Sequence, residues 1–186
     1  MTTAAPSGPS LNHLVLTVRD LRASHDFYTE RLGFEKCGEL LDVAAGSAMW
    51  FYRGHPTRHH DFALVQAKDP AGCPPATRWA GFFPEHAIGV NHIAIGYPSR
   101  DEWLERLKIL TSSGVEFLVR GNHGMTHSAY ISDPDGHGIE VLYEVPAQEW
   151  EGDVNAALNY FENLPREGLE ALEDTTDYRR FGSTQV

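Results

Sequence analysis

Two histidines in this chain open apolar runs of the same form, Asn12-His13-Leu14-Val15-Leu16 and Asn91-His92-Ile93-Ala94-Ile95. A carboxylate, Glu140, sits inside a third apolar run, Ile139 to Tyr143, just after the turn Asp133-Pro134-Asp135-Gly136. Two imidazoles and one carboxylate on three strands hold one face of a divalent cation and leave the opposite positions open, the donor set of non-haem Fe(II) oxygenases. Alternate residues of a strand share a face, so His13 points with Val15 and Thr17, and His92 with Ala94 and Gly96. Small or apolar neighbours of that kind describe a cavity wall. Glu140, flanked by Ile139 and Val141, is costly to bury without a compensating positive charge, and a metal supplies one. Ten histidines are scattered through the chain, and a single histidine is more often a surface or hydrogen-bonded core residue than a ligand. Recurrence at the same position of an internal repeat is what distinguishes His13 and His92.

The elements that must position these groups occur twice in the same order. Leu11 to Arg19 reads as a buried strand. Asp20 or Ser24 caps a helix through Leu32 that Gly33 stops, and Phe34 to Leu41, Ala48 to Arg53 and Phe62 to Ala67 follow as strands. The second copy runs through a strand Val90 to Tyr97, a helix from about Ser99 to Leu110 closed near Gly114, and strands Val115 to Arg120, His127 to Ser132 and Gly138 to Glu144. Each β-α-β-β-β copy is about 55 residues and leaves one sheet face bare, so pairing the two is the expected way to complete a core. The expected organisation is a flexible N-terminus (1–10), a first module (11–67), a connecting loop (68–89), a second module (90–145) and a C-terminal tail (146–186), with both modules in one domain. The loop carries Trp79, Phe82 and Phe83 among several prolines and glycines; it is too long for a tight connection and too aromatic for an idle linker. In the tail, Gln148 to Leu164 and Glu167 to Leu172 look helical, and Asp174 to Val186 extended. The fold class is therefore α+β, with a helical C-terminal tail.

Composition narrows the functional classes. The 186 residues carry a formal charge of -11 with only 15 Lys plus Arg. Nucleic acid is not an expected partner, because phosphate binding needs a clustered basic surface. Cys37 and Cys73 lack Cys-x-x-Cys spacing and are expected as reduced thiols in a cytoplasmic protein. No secretion signal or apolar run long enough to span a membrane is visible, so no membrane partner is expected. A short two-module unit exposes sheet edges, which points to a homodimer or larger homo-oligomer.

The openings Leu11-Asn12-His13 and Val90-Asn91-His92, the segment Phe27-Tyr28-Thr29-Glu30-Arg31-Leu32-Gly33-Phe34 and the closing run Asp133-Pro134-Asp135-Gly136-His137-Gly138-Ile139-Glu140 resemble the vicinal oxygen chelate superfamily. The resemblance covers about residues 11 to 145 and implies paired βαβββ modules forming a U-shaped mixed sheet around a metal. Within the superfamily, Arg58-His59-His60-Asp61-Phe62-Ala63-Leu64 is similar to the Arg-His-His run of type I extradiol ring-cleaving dioxygenases of the catechol 2,3-dioxygenase kind. That likeness implies Fe(II), less often Mn(II), held by His13, His92 and Glu140. A catechol would chelate through both oxygens and O2 would bind beside it, giving a ring-opened hydroxy-dienal or hydroxy-dienoate in the catabolism of aromatic compounds. It further implies that His60 lies near the O2 site and shuttles protons, that Tyr130 stands on the substrate side, and that His123 contacts the catechol oxygen, with neighbouring His127 the other candidate. His137, in a turn beside two glycines, is read as solvent-facing or structural. Glyoxalase I takes a further metal-binding glutamate from its first module, and Asp61-Phe62-Ala63-Leu64-Val65-Gln66 offers none. Two other readings are a non-oxidative metalloenzyme of the same superfamily, glyoxalase or fosfomycin-resistance-like thiol transferase, and a metal-free module that binds aromatic drugs between Trp79, Phe82 and Phe83.

Overall fold

The computed structural model describes residues 10–42, 47–85 and 88–182. The expected flexible N-terminus therefore lies, except for Ser10, outside the described residues, as do 86–87 of the expected loop and 183–186 of the tail. The chain divides into two compact units, Met1–Pro74 and Pro75–Val186. The division falls inside the expected connecting loop, so the stretch from Pro75 belongs with the second unit.

The first unit follows the order β1 (Leu14–Val18), α1 (Leu21–Asp26), β2 (Glu35–Asp42), β3 (Ser47–Arg53) and β4 (Phe62–Gln66). Its sheet has the strand order β1-β4-β3-β2; β1 and β4 are parallel and the other pairs antiparallel. Asp20 caps α1 by accepting from the Arg22 and Ala23 amides at 2.9 and 3.0 Å. Ser24 lies buried inside the helix instead. Past Asp26 the helix widens into a π-type turn, Phe27–Arg31, where Thr29 Oγ1 donates to the His25 carbonyl at 2.8 Å. Gly33, at φ 84°, ends it. One sheet face packs the core: Leu16, Val18, Tyr52, Phe62 and Leu64 meet Leu21, Phe27, Tyr28 and Leu32, all buried. The other face carries Val15 and, before the strand begins, His13.

The second unit repeats the plan: β5 (His92–Tyr97), α2 (Arg100–Ser112), β6 (Val119–Asn122), β7 (Thr126–Ser132) and β8 (Gly138–Glu144). Strand order is β5-β8-β7-β6-β9, with β5 and β8 parallel; β9 (Glu162–Asn163) comes from the tail. Ser99 caps α2, and Gly114 at φ 76° follows it. The sheet face of Ile131, Ile139 and Val141 packs Trp103, Leu107 and Leu110 of α2 in the core, and Trp103 Nε1 donates to the Val141 carbonyl at 2.9 Å.

Two expectations need correction. The strand predicted over Val115 to Arg120 starts at Val119, because Val115 N–H is spent on the Leu110 carbonyl at the end of α2 (3.0 Å). The tail is less helical than Gln148 to Leu164 suggested. Its α-helix is α3 (Val154–Leu158), flanked by 3₁₀ turns Ala147–Glu149, Glu151–Asp153 and Leu169–Leu172. Glu162 and Asn163 instead pair with Asn122 and Gly121, because the free edge of β6 offers unpaired backbone groups.

The tail is fastened by a buried carboxylate. Asp174 Oδ2 accepts from Tyr143 Oη at 2.6 Å, lies 2.7 Å from His127 Nδ1 and 3.5 Å from Arg100 Nε. Burial pushes this carboxyl up, but the His127 and Tyr143 hydrogen bonds and the Arg100 charge together outweigh it and hold it below the ordinary aspartate value. A depressed folded-state value means the contribution is fully present above the unfolded aspartate pKa of about 4 and is lost progressively as pH falls from there toward the depressed folded value. Asp174→Ala, which strands buried partners, is expected to cost about 3 kcal/mol, read as a lower melting temperature at neutral pH and a smaller difference from wild type near pH 3. An undiminished difference at the acidic end would remove the carboxylate explanation.

Candidate metal and substrate site

The register of the second sheet assembles the site. His92 pairs with Gly138 and Ala94 with Glu140 on β8, while Tyr130 on β7 pairs with Glu140 from the other side. Side chains of paired residues share a sheet face, so Glu140 and Tyr130 lie on the face opposite the α2 core. Glu140 is only 7% exposed. Its Oε1 accepts from Tyr130 Oη at 2.7 Å, and its Oε2 lies 3.2 Å from His92 Nε2. Tyr130 has given its single proton to Glu140, so the 3.0 Å contact with His123 Nε2 requires His123 Nε2–H to donate to the tyrosine oxygen. Burial lowers the His123 pKa, with Glu140 opposing. Burial together with the Glu140 hydrogen bond raises the Tyr130 hydroxyl well above its ordinary range. A directed chain results, His123 to Tyr130 to Glu140.

Aromatic rings surround this chain. Trp79 stacks on Tyr130 (centroids 5.0 Å, 9° between planes), and Phe82 stands edge-on to Tyr130 at 4.9 Å. Gly138 lets the Trp79 indole approach the strand, since a Cβ there would collide with that ring. Phe161, from the tail, lies over Gly121 with its ring 4.9 Å from that of His123. Of the expected aromatic trio in the loop, Phe83 takes no part and is 95% exposed.

His127 is not in this group. It is three residues from Tyr130 on β7 and so faces the opposite side of the sheet, fully buried against Tyr143 and Asp174. Between the two candidates, only His123 reaches the Tyr130 hydroxyl. His137 is tied to its own turn, Nδ1 lying 2.8 Å from Asp133 Oδ2, and that hydrogen bond raises its pKa against a smaller opposing effect of burial.

In the first unit, His13 Nδ1 lies 2.8 Å from Asn12 Oδ1, and the His13 and His60 rings are 4.6 Å apart. His60 also meets Phe51 at 5.1 Å, and its Nδ1 lies 2.7 Å from His59 Nδ1. Desolvation, then the neighbouring His59 and His13, lowers the His60 pKa. Arg58 fixes this loop to the start of β1, donating to the Asn12 carbonyl at 2.6 Å and to Asp61 Oδ1 at 2.8 Å. The repeat also shows what the first unit lacks. Two residues beyond its histidine, Val15 pairs with Ala63, and Ala63 pairs with Phe51. Ala63 and Phe51 thus hold the positions of Glu140 and Tyr130.

Among the described residues, no group of three or more His, Cys, Asp or Glu side chains is arranged to hold a metal ion; the second unit contributes the pair His92 and Glu140, and His13 belongs to the first unit. The chemistry of that pair nevertheless fits a cation. His92 Nδ1 faces the acceptor Asn91 Oδ1 at 2.8 Å, so a neutral His92 turns the Nε2 lone pair toward the Glu140 Oε2 lone pairs, and two acceptors at 3.2 Å repel unless a positive charge lies beside them.

With its twofold βαβββ architecture and an Asn-His opening in each half, this chain belongs to the Glyoxalase/Bleomycin resistance protein/Dioxygenase superfamily, whose model matches residues 10–141. It is 27% identical to a catechol-2,3-dioxygenase of Bacillus subtilis over 91% of this chain and 53% of that protein. It is 32% identical to a lactoylglutathione lyase of Pseudomonas putida over 73% of this chain and 85% of the relative. The chain thus spans about half the length of the dioxygenase it matches. A fosfomycin-resistance protein, FosX of Listeria monocytogenes, solved with Mn(II), superposes with TM-score 0.53 at 21% identity over 77% of this chain and 98% of that one. Among the described residues no helix is long and apolar enough to cross a membrane.

The sequence did not single out Asn91 or the contact between Phe161 and His123. The recurrence of asparagine before both histidines was the available signal for the first. For the second there was none, since the tail's path is set by pairing at a distant strand edge.

Proposed function

We propose that this chain is an extradiol dioxygenase that opens the ring of a catechol with O2, using Fe(II), or less readily Mn(II), held by His13, His92 and Glu140. The observation that carries this reading is Ala63. The glyoxalase pattern needs a fourth protein donor from the first module, and the position that corresponds to Glu140 in the repeat offers a methyl group. Three donors suit a substrate that brings two oxygens of its own and a second substrate that needs a position beside them. When bound, the metal supplies Lewis acidity that favours the catecholate form and electron transfer from the ring to O2.

The chain's own residues do the rest. Tyr130 holds Glu140 Oε1, leaving Oε2 for the cation. His123 keeps Tyr130 oriented, and both present polar groups where a catechol oxygen would arrive. Trp79, Phe82 and Phe161 exclude water and offer ring faces and edges to an aromatic substrate. His60, whose pKa is lowered by desolvation and its histidine neighbours, would take up a proton that the catechol loses and return it when the O–O bond breaks. A homo-oligomer accords with β2, whose position at the sheet edge carries the exposed Leu40 and Leu41.

The test begins with protein stripped of metal under argon, to which ferrous salt and a panel of one-ring and two-ring catechols are added before air is admitted. Oxygen uptake and a yellow ring-opened product should appear only with the metal restored. Uptake indifferent to iron and manganese, or no uptake while a glutathione hemithioacetal is isomerised, would overturn the proposal.

A further inference from the structure

Asn91 sits at the meeting point of four hydrogen bonds whose partners leave it one orientation. Its Nδ2 donates to the Gly81 carbonyl at 3.0 Å and the Phe82 carbonyl at 3.3 Å, and its Oδ1 accepts from Trp79 Nε1 at 3.2 Å. Carbonyl oxygens only accept and an indole nitrogen only donates, so the amide cannot be flipped without breaking all three bonds. The fourth contact is His92 Nδ1, 2.8 Å from the same Oδ1. Oxygen Oδ1 has no proton to give, so Nδ1 of His92 must carry one.

We propose that Asn91, held by Trp79 and the carbonyls of Gly81 and Phe82, is a positioning residue that locks His92 in the Nδ1–H tautomer, so that Nε2 offers its lone pair on the Glu140 side before any cation arrives. Free neutral histidine prefers the opposite tautomer, with the proton on Nε2. Left alone, His92 would point that proton at Glu140 Oε2, 3.2 Å away, satisfying the carboxylate and closing the position to a metal. The lock removes this self-satisfied arrangement. Its consequence for metal binding rests on the reading of His92 as a ligand, but the tautomer itself does not.

Among the described residues the device is built in the second unit and not in the first. Asn12 Oδ1 makes the same 2.8 Å contact with His13 Nδ1, yet among the described residues Asn12 has no indole donor or carbonyl acceptors to fix its amide. The lock also gives the stretch following Pro75 a role besides packing, since three of its residues, Trp79, Gly81 and Phe82, set the proton position on a histidine they do not otherwise bond.

Long-range proton–nitrogen correlation spectra of the full metal-free chain, labelled with 15N-histidine and recorded at alkaline pH, read the tautomer directly. Wild-type His92 should be protonated at Nδ1. In Asn91→Leu it should move to Nε2–H, and Asn91→Asp, which keeps an acceptor oxygen, should restore Nδ1–H. Titration with Mn(II) should show Asn91→Leu binding about 10- to 100-fold more weakly, with recovery in Asn91→Asp. A wild-type spectrum with His92 protonated at Nε2 overturns the lock whether or not the variants fold, as does an Asn91→Leu protein that keeps Nδ1–H. The expected tautomers in a protein that binds no Mn(II) or Fe(II) would uphold the lock and end the metal reading instead.

Discussion

Glu140→Gln should abolish metal binding and ring cleavage while leaving the metal-free protein as stable as the wild type or more so. The wild-type carboxylate is nearly buried, with its second oxygen facing an imidazole nitrogen at 3.2 Å, an arrangement that costs free energy until a cation joins it. A glutamine keeps an oxygen to accept from Tyr130 and turns an N–H toward His92 Nε2, satisfying both groups without the charge. Wild-type protein at a metal concentration a hundred times its Kd should gain about 2.7 kcal/mol of stability, seen as a rise in Tm with ferrous or manganous salt. Glu140→Gln should gain none. A structural ion pair between Glu140 and a protonated His92 makes the opposite forecast: the substitution would strip about 3 to 5 kcal/mol from the metal-free protein, and metal would leave the wild type unmoved. The comparison is made without substrate, so it separates the metal site from the choice of catechol.

Much of the fold could be read from local pattern, because the residues that set each module act over short range. Asp20, Gly33, Ser99 and Gly114 mark the helix ends by capping and by positive φ. The run Gly138–Glu144 is one strand as expected, since a nearly continuous apolar segment after a turn can pack on both faces only in the middle of a sheet. The tail follows different rules. Gln148 to Leu164 has helical propensity, but propensity is weak against an available strand edge, and Glu162–Asn163 joins β6 while Phe161 folds onto Gly121. No local signal in the tail identifies β6 as its partner.

The candidate site divides along the same line. His92 was marked by the repeated opening and Glu140 by a charge inside an apolar run, while Tyr130 came from the family likeness; parity alone would have placed His127 opposite Tyr130, since an interval of three on one strand changes face. His123 was harder to place, because it lies in the β6–β7 turn, where a two-residue period does not apply; Gly124 at φ 77° bends the chain there. The Asn91 contacts depend on residues nine to twelve positions upstream folding back onto the start of β5. Asp174 reaching His127 across 47 positions is of the same kind: each half of the contact looks ordinary, and only the fold makes the pair.

His60→Ala should slow turnover by about 10² to 10⁴-fold, the usual worth of a positioned proton donor, and leave metal content and catechol affinity within a few fold of wild type. His60 is placed by its ring contacts with His13 and Phe51, on a loop that Arg58 ties to the Asn12 carbonyl and Asp61. The Arg58 ties do not run through the His60 side chain, so its removal should leave the loop and the start of β1 in place and cost His13 only one ring contact. Phe51 would line the gap, and its apolar edge cannot substitute for a proton donor. A purely structural His60 would make the variant lose metal and stability together, with turnover per bound metal unchanged. The informative quantity is therefore kcat per mole of bound iron, measured beside the anaerobic Kd for the catechol. A fall in the former at constant Kd places His60 in the oxygen half of the reaction, after substrate has bound, whereas full activity per iron would remove the assigned role.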